Sequence, residues 1–229
     1  MGTTAGPAVH PAEWQLVGDV QVVSTGWAQG DMADSGPAAE RRRRMVVDLP
    51  WTVLSQVHGA RVVTVDHPGD SVGEAADAAV TVRAGAALAV LTADCAPVAM
   101  ASPEGVIGVA HAGWKGLRAG VIEATVQSMR RLGATRVEAV LGPCIRPCCY
   151  TFGADDLMEI ETRLGRHLRA EDRDGRPALD LPAGVRSAVH AAGATFVGES
   201  GRCTGCEGGL WSWRTGRTAR RQATVAWRL

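Results

Sequence analysis

Between Thr52 and Ala110 the chain breaks into short apolar or alternating runs: TVLSQVH, RVVTVD, DAAVTV, ALAVLT, PVAMAS and GVIGVAH. Gly, Pro and Asp part them, and runs this short with such punctuation are strands of a sheet. The period then changes. Over 116–132, Leu117, Val121, Ile122, Val126, Met129 and Leu132 recur at helical spacing, and Gly133 ends the pattern. RVEAVLG (136–142) reads as a strand, 153–168 and 182–192 as helices, and 194–198 and 222–228 as further strands. A short helix is expected over 38–48, carrying Arg41, Arg42, Arg43 and Arg44. Strands and helices mixed without strict alternation predict an α+β fold rather than a doubly wound sheet.

A chain of 229 residues is long enough to bury a sizeable core, and it suggests one domain over 1–229. The 46% hydrophobic and 21% charged residues are a globular balance. A formal net charge of zero argues against nucleic acid or a membrane surface as partner. The basic residues are arginines apart from Lys115. The opening residues carry no signal-peptide pattern, and no apolar run reaches membrane-spanning length, so a cytoplasmic protein is expected. Its cysteines are then thiols or metal ligands rather than disulfides. Residues 1–17 are rich in Gly, Pro and Ala and are expected to be poorly ordered.

Three metal-competent side chains stand at or just beyond strand ends: His58 in SQVHGARVV, Cys95 in LTADCAPVAM and His111 in GVAHAGWKG. Strand ends line up along a sheet rim, so residues far apart in sequence can converge there. Two His and one Cys fill three tetrahedral positions of zinc and leave the fourth open for water or substrate. The same set is compatible with copper. A core thiol with two unrelated histidines is the competing reading of the same residues.

Cys144, Cys148, Cys149, Cys203 and Cys206 form a second constellation, a C-x3-C followed much later by a C-x2-C. The long stretch between the pairs argues against a second, structural zinc, so Cys203 and Cys206 are expected not to be ligands. Arg41 to Arg44 read either as a solvated helix face or as the source of a guanidinium for a phosphate. Asp94 precedes Cys95 and Asp77 opens DAAVTV. Either carboxylate could orient a ligand or cap a turn, and Asp94 is the stronger candidate.

Together SQVHGARVV, ADAAVTVRAGAALAVLTADCAPV, GVAHAGWKG, LGPCIRPCCYTFG and RCTGC resemble the YfiH-like, or laccase-domain, proteins. The resemblance runs in order from about residue 52 to the C-terminus. It implies layered mixed β-sheets flanked by helices, with His58, Cys95 and His111 as ligands of zinc or copper. It also implies phosphorolysis of adenosine, inosine and 5′-methylthioadenosine, and deamination of adenosine. The expected partners are then a nucleoside and phosphate, acted on by a monomer or small homo-oligomer. Asp94 is expected to carry the proton beside Cys95, and one of Arg41 to Arg44 to hold phosphate. The chain departs from the family pattern at Gly26, where an arginine is usual, at Arg41, where an asparagine is usual, and in Leu210-Trp211-Ser212-Trp213-Arg214, where a tyrosine is usual. Three other readings compete: a copper phenol oxidase, a cysteine hydrolase built on Cys95 and a histidine, and a metal-stabilised binding protein without turnover. A multicopper centre needs many histidines, typically in His-x-His pairs. This chain has six, at 10, 58, 67, 111, 167 and 190, and no such pair.

Overall fold

The computed structural model describes residues 14–229. Most of the segment expected to be poorly ordered, and His10 with it, lies outside the described residues. Trp14–Leu16, inside that segment, form the first strand.

In chain order the first half comprises β1 (Trp14–Leu16), β2 (Val20–Ser24), α1 (Pro37–Val46), β3 (Trp51–Val53), β4 (Val62–Thr64), β5 (Ala78–Thr81), β6 (Ala87–Thr92), β7 (Ala96–Ala101) and β8 (Ile107–Ala112). The second half comprises α2 (Trp114–Ala119), α3 (Val121–Arg131), β9 (Glu138–Leu141), α4 (Ala154–Leu164), β10 (Arg169–Glu171), β11 (Pro177–Leu179), α5 (Leu181–Ala191), β12 (Thr195–Glu199), α6 (Trp213–Gly216) and β13 (Gln222–Trp227). One sheet runs β1-β2-β13-β6-β3 and a second runs β12-β9-β7-β8-β5-β4, while β10 and β11 form a separate hairpin. Both large sheets are mixed: β3 is parallel to β6, β4 to β5 and β12 to β9, and the other pairs are antiparallel.

The period-2 alternation of the strands sorts their side chains into layers. Leu88 and Val90 of β6 meet Ala99, Ala101, Ile107 and Val109 of the second sheet in a buried core between the sheets. Ala87 and Ala89 face the other way and pack with Val46 of α1 and with Trp51 and Trp227. On the far side of the second sheet, Val98, Met100 and Ala110 bury the apolar faces of α3 and α5 through Ile122, Val126, Met129, Val185 and Val189. The order is helix, sheet, sheet, helices, an α+β layering with sheets buried on both faces. That explains why β7 and β8 are buried along their whole length.

The helical pattern over 116–132 forms two helices rather than one. Gly120 adopts φ 87°, a left-handed conformation that ends α2 and starts α3. This break lets α2 leave the end of β8 at an angle of its own. Only the start of TVLSQVH is strand: β3 ends at Val53, and His58 lies in the loop beyond it.

Candidate metal centre

His58, Cys95 and His111 converge, and one ligand atom from each lies within 4.8 Å of the others. They come from three places. His111 is carried by β8, Cys95 sits in the crossover from β6 in one sheet to β7 in the other, and His58 lies in the loop before β4. Cys95 Sγ is 3.8 Å from His58 Nε2, and the two imidazole rings lie edge to face with centroids 4.8 Å apart. His111 is 3% exposed, whereas His58 is open to solvent. The set therefore has a protein side and a solvent side, as an open coordination position requires.

Asp77, fully buried, organises two of the three. Its Oδ1 accepts from the His58 amide at 2.8 Å and its Oδ2 from the Gly59 amide at 2.7 Å. Oδ1 also lies 2.9 Å from His111 Nδ1. An anionic acceptor there keeps the proton on Nδ1 and turns the Nε2 lone pair toward the centre, the arrangement that orients metal-ligating histidines. The partner of a ligand is thus Asp77 rather than Asp94. Gln56 clamps the same loop to β6, donating to the Leu91 carbonyl at 2.7 Å and accepting from the Leu91 amide at 2.8 Å. His58 is held at φ 61° and Asp94 at φ 110°, so two non-glycine residues beside the centre keep a strained backbone.

Electrostatics favour the ligand form of the thiol. Burial raises the Cys95 pKa, but hydrogen bonds from His111 and His58 and their charges outweigh it and bring it to about 6. Burial lowers the His111 pKa, but Asp77 and the Cys95 sulfur outweigh that and bring it to about 9. In the metal-free protein this is a thiolate–imidazolium pair, and a metal would displace the His111 Nε2 proton; one thiolate and two imidazoles, with a carboxylate behind one of them, then fit zinc and also a single copper ion. Among the described residues no other histidine joins a metal-competent group, so the donor set does not fit a multicopper centre.

The centre opens into a cavity of about 720 Å³. Trp114, Tyr150 and Trp213 give it aromatic walls, and Lys115, Arg214 and Arg221 give it positive charge. Asp94 also lines it, with Oδ1 accepting from the Thr204 hydroxyl at 2.7 Å and Oδ2 from the Arg214 amide at 2.6 Å. Arg214 packs over the Tyr150 ring at 4.9 Å. None of Arg41, Arg42, Arg43 and Arg44 lines this cavity. Arg42 bonds the Asp31 carbonyl and the Asp34 carboxylate, Arg43 bonds the carbonyls of Met32 and Asp34, and Arg44 pairs with Asp48 just beyond the end of the helix. Arg42 and Arg43 therefore brace the loop that brings Ala33 to the cavity wall, and Arg41 is exposed. Arg214 lies in the Leu210–Arg214 segment that departs from the family pattern, whereas Arg221 follows Arg220 in a polar, arginine-bearing stretch whose spacing does not show which side chain meets the cavity.

The second cysteine group differs from the set that sequence spacing suggests. Cys148, Cys149, Cys203 and Cys206 come together, while Cys144 turns into the core behind the second sheet. A backbone bridge between Cys144 and Cys203 aligns the two segments.

Comparison with known proteins agrees with this architecture. A family model described as "Multi-copper polyphenol oxidoreductase laccase" matches residues 17–229. A Streptomyces griseus protein named "Purine nucleoside phosphorylase ORF3" is 40% identical over 213 residues, covering 90% of this chain and 86% of its own. A Deinococcus radiodurans protein named "Purine nucleoside phosphorylase" is 39% identical, covering 84% of this chain and 78% of its own. Among solved structures, a Neisseria meningitidis protein aligns with TM-score 0.80 at 28% identity, covering 95% of this chain and 97% of its own. The Bacillus licheniformis hypothetical protein YfiH aligns with TM-score 0.78 at 25% identity, covering 92% and 93%. The fold, the order of the motifs and these matches together show that the chain belongs to the laccase-like YfiH family.

Proposed function

We propose that the protein is a zinc-dependent purine nucleoside phosphorylase that also deaminates adenosine. The observation that carries this reading is the convergence of His58, Cys95 and His111 at the wall of a cavity with both aromatic and cationic sides. The names of the Streptomyces and Deinococcus relatives point to the same substrate class. When bound, zinc supplies a Lewis acid and lowers the pKa of a coordinated water.

The chain's own residues divide the remaining work. Trp114, Tyr150 and Trp213 offer flat apolar faces to a purine. Lys115, Arg214 and Arg221 supply the charge that phosphate needs, in place of the Arg41–Arg44 run. The Thr92 hydroxyl is buried, lines the cavity and has no hydrogen-bond partner among the described residues, so a polar group of the ligand would satisfy it. Asp94 is the acidic residue on the cavity wall and is assigned the proton transfers, with Thr204 and the Arg214 amide fixing its position. Asp77 keeps His111 in its ligating tautomer.

The test is product analysis on adenosine, inosine and 5′-methylthioadenosine, with and without phosphate, together with metal analysis. Phosphate-dependent release of purine base, inosine formed from adenosine, and loss in Cys95→Ala of both activities and of the metal held by His58, Cys95 and His111 are expected. Absence of any phosphate-dependent product from the zinc-loaded protein would overturn the phosphorylase reading. A second reading, a cysteine hydrolase, draws on the Cys95–His111 pair. It requires a metal-free thiolate, and a preparation that works only with metal bound removes it.

A further inference from the structure

We propose that Cys148, Cys149, Cys203 and Cys206 form a second zinc site, a tetrathiolate that staples the loop after β9 to the C-x2-C loop after β12. This site is independent of the His58–Cys95–His111 centre and uses none of its residues. The sulfur positions support it. Cys148 Sγ lies 3.6 Å from Cys203 Sγ, 3.7 Å from Cys206 Sγ and 3.8 Å from Cys149 Sγ. All four sulfurs fall within 4.8 Å of one another. A tetrahedral ion with zinc–sulfur bonds of about 2.3 Å sets its sulfurs about 3.8 Å apart. Disulfide-bonded sulfurs would be about 2.05 Å apart, and all four cysteines are free.

The surroundings are shaped for the same purpose. A Cβ on Gly205, inside the C-x2-C turn, would lie 2.6 Å from Cys149 Cβ and 3.1 Å from its sulfur. Only glycine lets the two loops approach closely enough to share one ion. Arg173 reaches in from the turn between β10 and β11, with Nη2 2.8 Å from Cys149 Sγ and Nε donating to the Cys148 carbonyl. Four thiolates and one zinc ion carry two net negative charges, and this guanidinium offsets part of them. Glu207 accepts from the Cys203 amide at 2.7 Å and fixes the turn. Soft thiolates in a tetrahedral set select zinc or iron over harder ions. Binding displaces the thiol protons to solvent, and no electron is transferred.

The site also touches the first centre mechanically. Thr204, between two of its ligands, donates to Asp94 at 2.7 Å, and Asp94 adjoins Cys95. A zinc ion held by the four thiolates would therefore hold one wall of the cavity without taking part in its chemistry.

Elemental analysis after chelator dialysis, under reducing conditions, tests this on wild type, Cys206→Ala, Cys149→Ala and Cys95→Ala. Cys206 is exposed, so its replacement should leave the fold intact by circular dichroism. Wild type should hold one zinc per chain more than Cys206→Ala or Cys149→Ala. Cys95→Ala should keep that zinc, whether or not the first centre binds metal. Cobalt-loaded Cys95→Ala should show intense thiolate-to-cobalt absorption that the further replacement Cys206→Ala removes. Equal zinc in wild type and in both cluster variants overturns the proposal. So does iron in place of zinc, or a disulfide among the four cysteines in freshly isolated protein.

Discussion

Asp77 Oδ1 lies 2.9 Å from His111 Nδ1, with both side chains sealed from solvent. The same carboxylate accepts from the His58 and Gly59 amides. One buried anion thus sets the tautomer of one ligand and the loop of another.

Asp77→Asn keeps the shape but not the charge, and it must turn an NH2 toward one of these donors. Loss of such a ligand partner typically costs about 10–100-fold in metal affinity. Competition against a chelator should show a drop of that size, with His58, Cys95 and His111 all present. Wild-type affinity in Asp77→Asn would mean that the carboxylate only caps the loop.

The Cys95 thiol of the metal-free protein should alkylate with a midpoint near pH 6, followed at its own peptide by mass spectrometry. Its pKa is depressed on folding. Its ionisation therefore contributes stability above the unfolded value of about 8.5, and that contribution is lost as pH falls through about 6. His111 has the opposite sign. Its pKa is raised, so its contribution is full below about 6.5 and is lost as pH rises through about 9. A midpoint near that of an ordinary thiol would show that the imidazoles do not act on Cys95.

Lys115→Ala and Arg214→Ala should each raise the KM for phosphate. A lost contact to a charged group costs about 1.5–3 kcal/mol, roughly tenfold to a hundredfold. Arg41→Ala and Arg44→Ala should change it little, because neither side chain lines the cavity. Steady-state kinetics against phosphate separate the two pairs, and the reverse ranking would return the phosphate site to the α1 arginines.

Gly113→Ala probes the room around the ligands. Its added Cβ would sit 2.9 Å from Cys95 Sγ and 3.2 Å from His58 Cδ2. Metal occupancy should fall sharply while the secondary structure, read by circular dichroism, stays. Full occupancy would show that the ligands shift freely.

Much of this was legible in the sequence because it rests on local pattern. The strands from β4 to β8 follow short apolar or alternating runs, and His58, Cys95 and His111 sit in distinctive motifs. The share of Asp77 was underestimated because its partners lie 19 and 34 residues away, and spacing cannot reveal a carboxylate shared between a loop and a strand. Which of the cysteines come together is hidden for a related reason. Neighbouring Cys148 and Cys149 look redundant in sequence, whereas the turn at Pro147–Cys149 points both sulfurs to one place. The arginine run stays open between two readings in the sequence because density of charge says nothing of where a helix faces, and none of the four side chains lines the cavity.

The place of β13 bears on how the chain is made. It is the last strand in the sequence, yet it lies between β2 and β6, bonded to both. Until it leaves the ribosome, β1 and β2 have no edge on which to join β6 and β3. The first sheet can therefore close only after β13 has emerged. Before that, the apolar face of the second sheet, with Ile107 and Val109, lacks its full cover. A chain in this state exposes open strand edges, which are prone to pair with other chains until β13 closes the sheet.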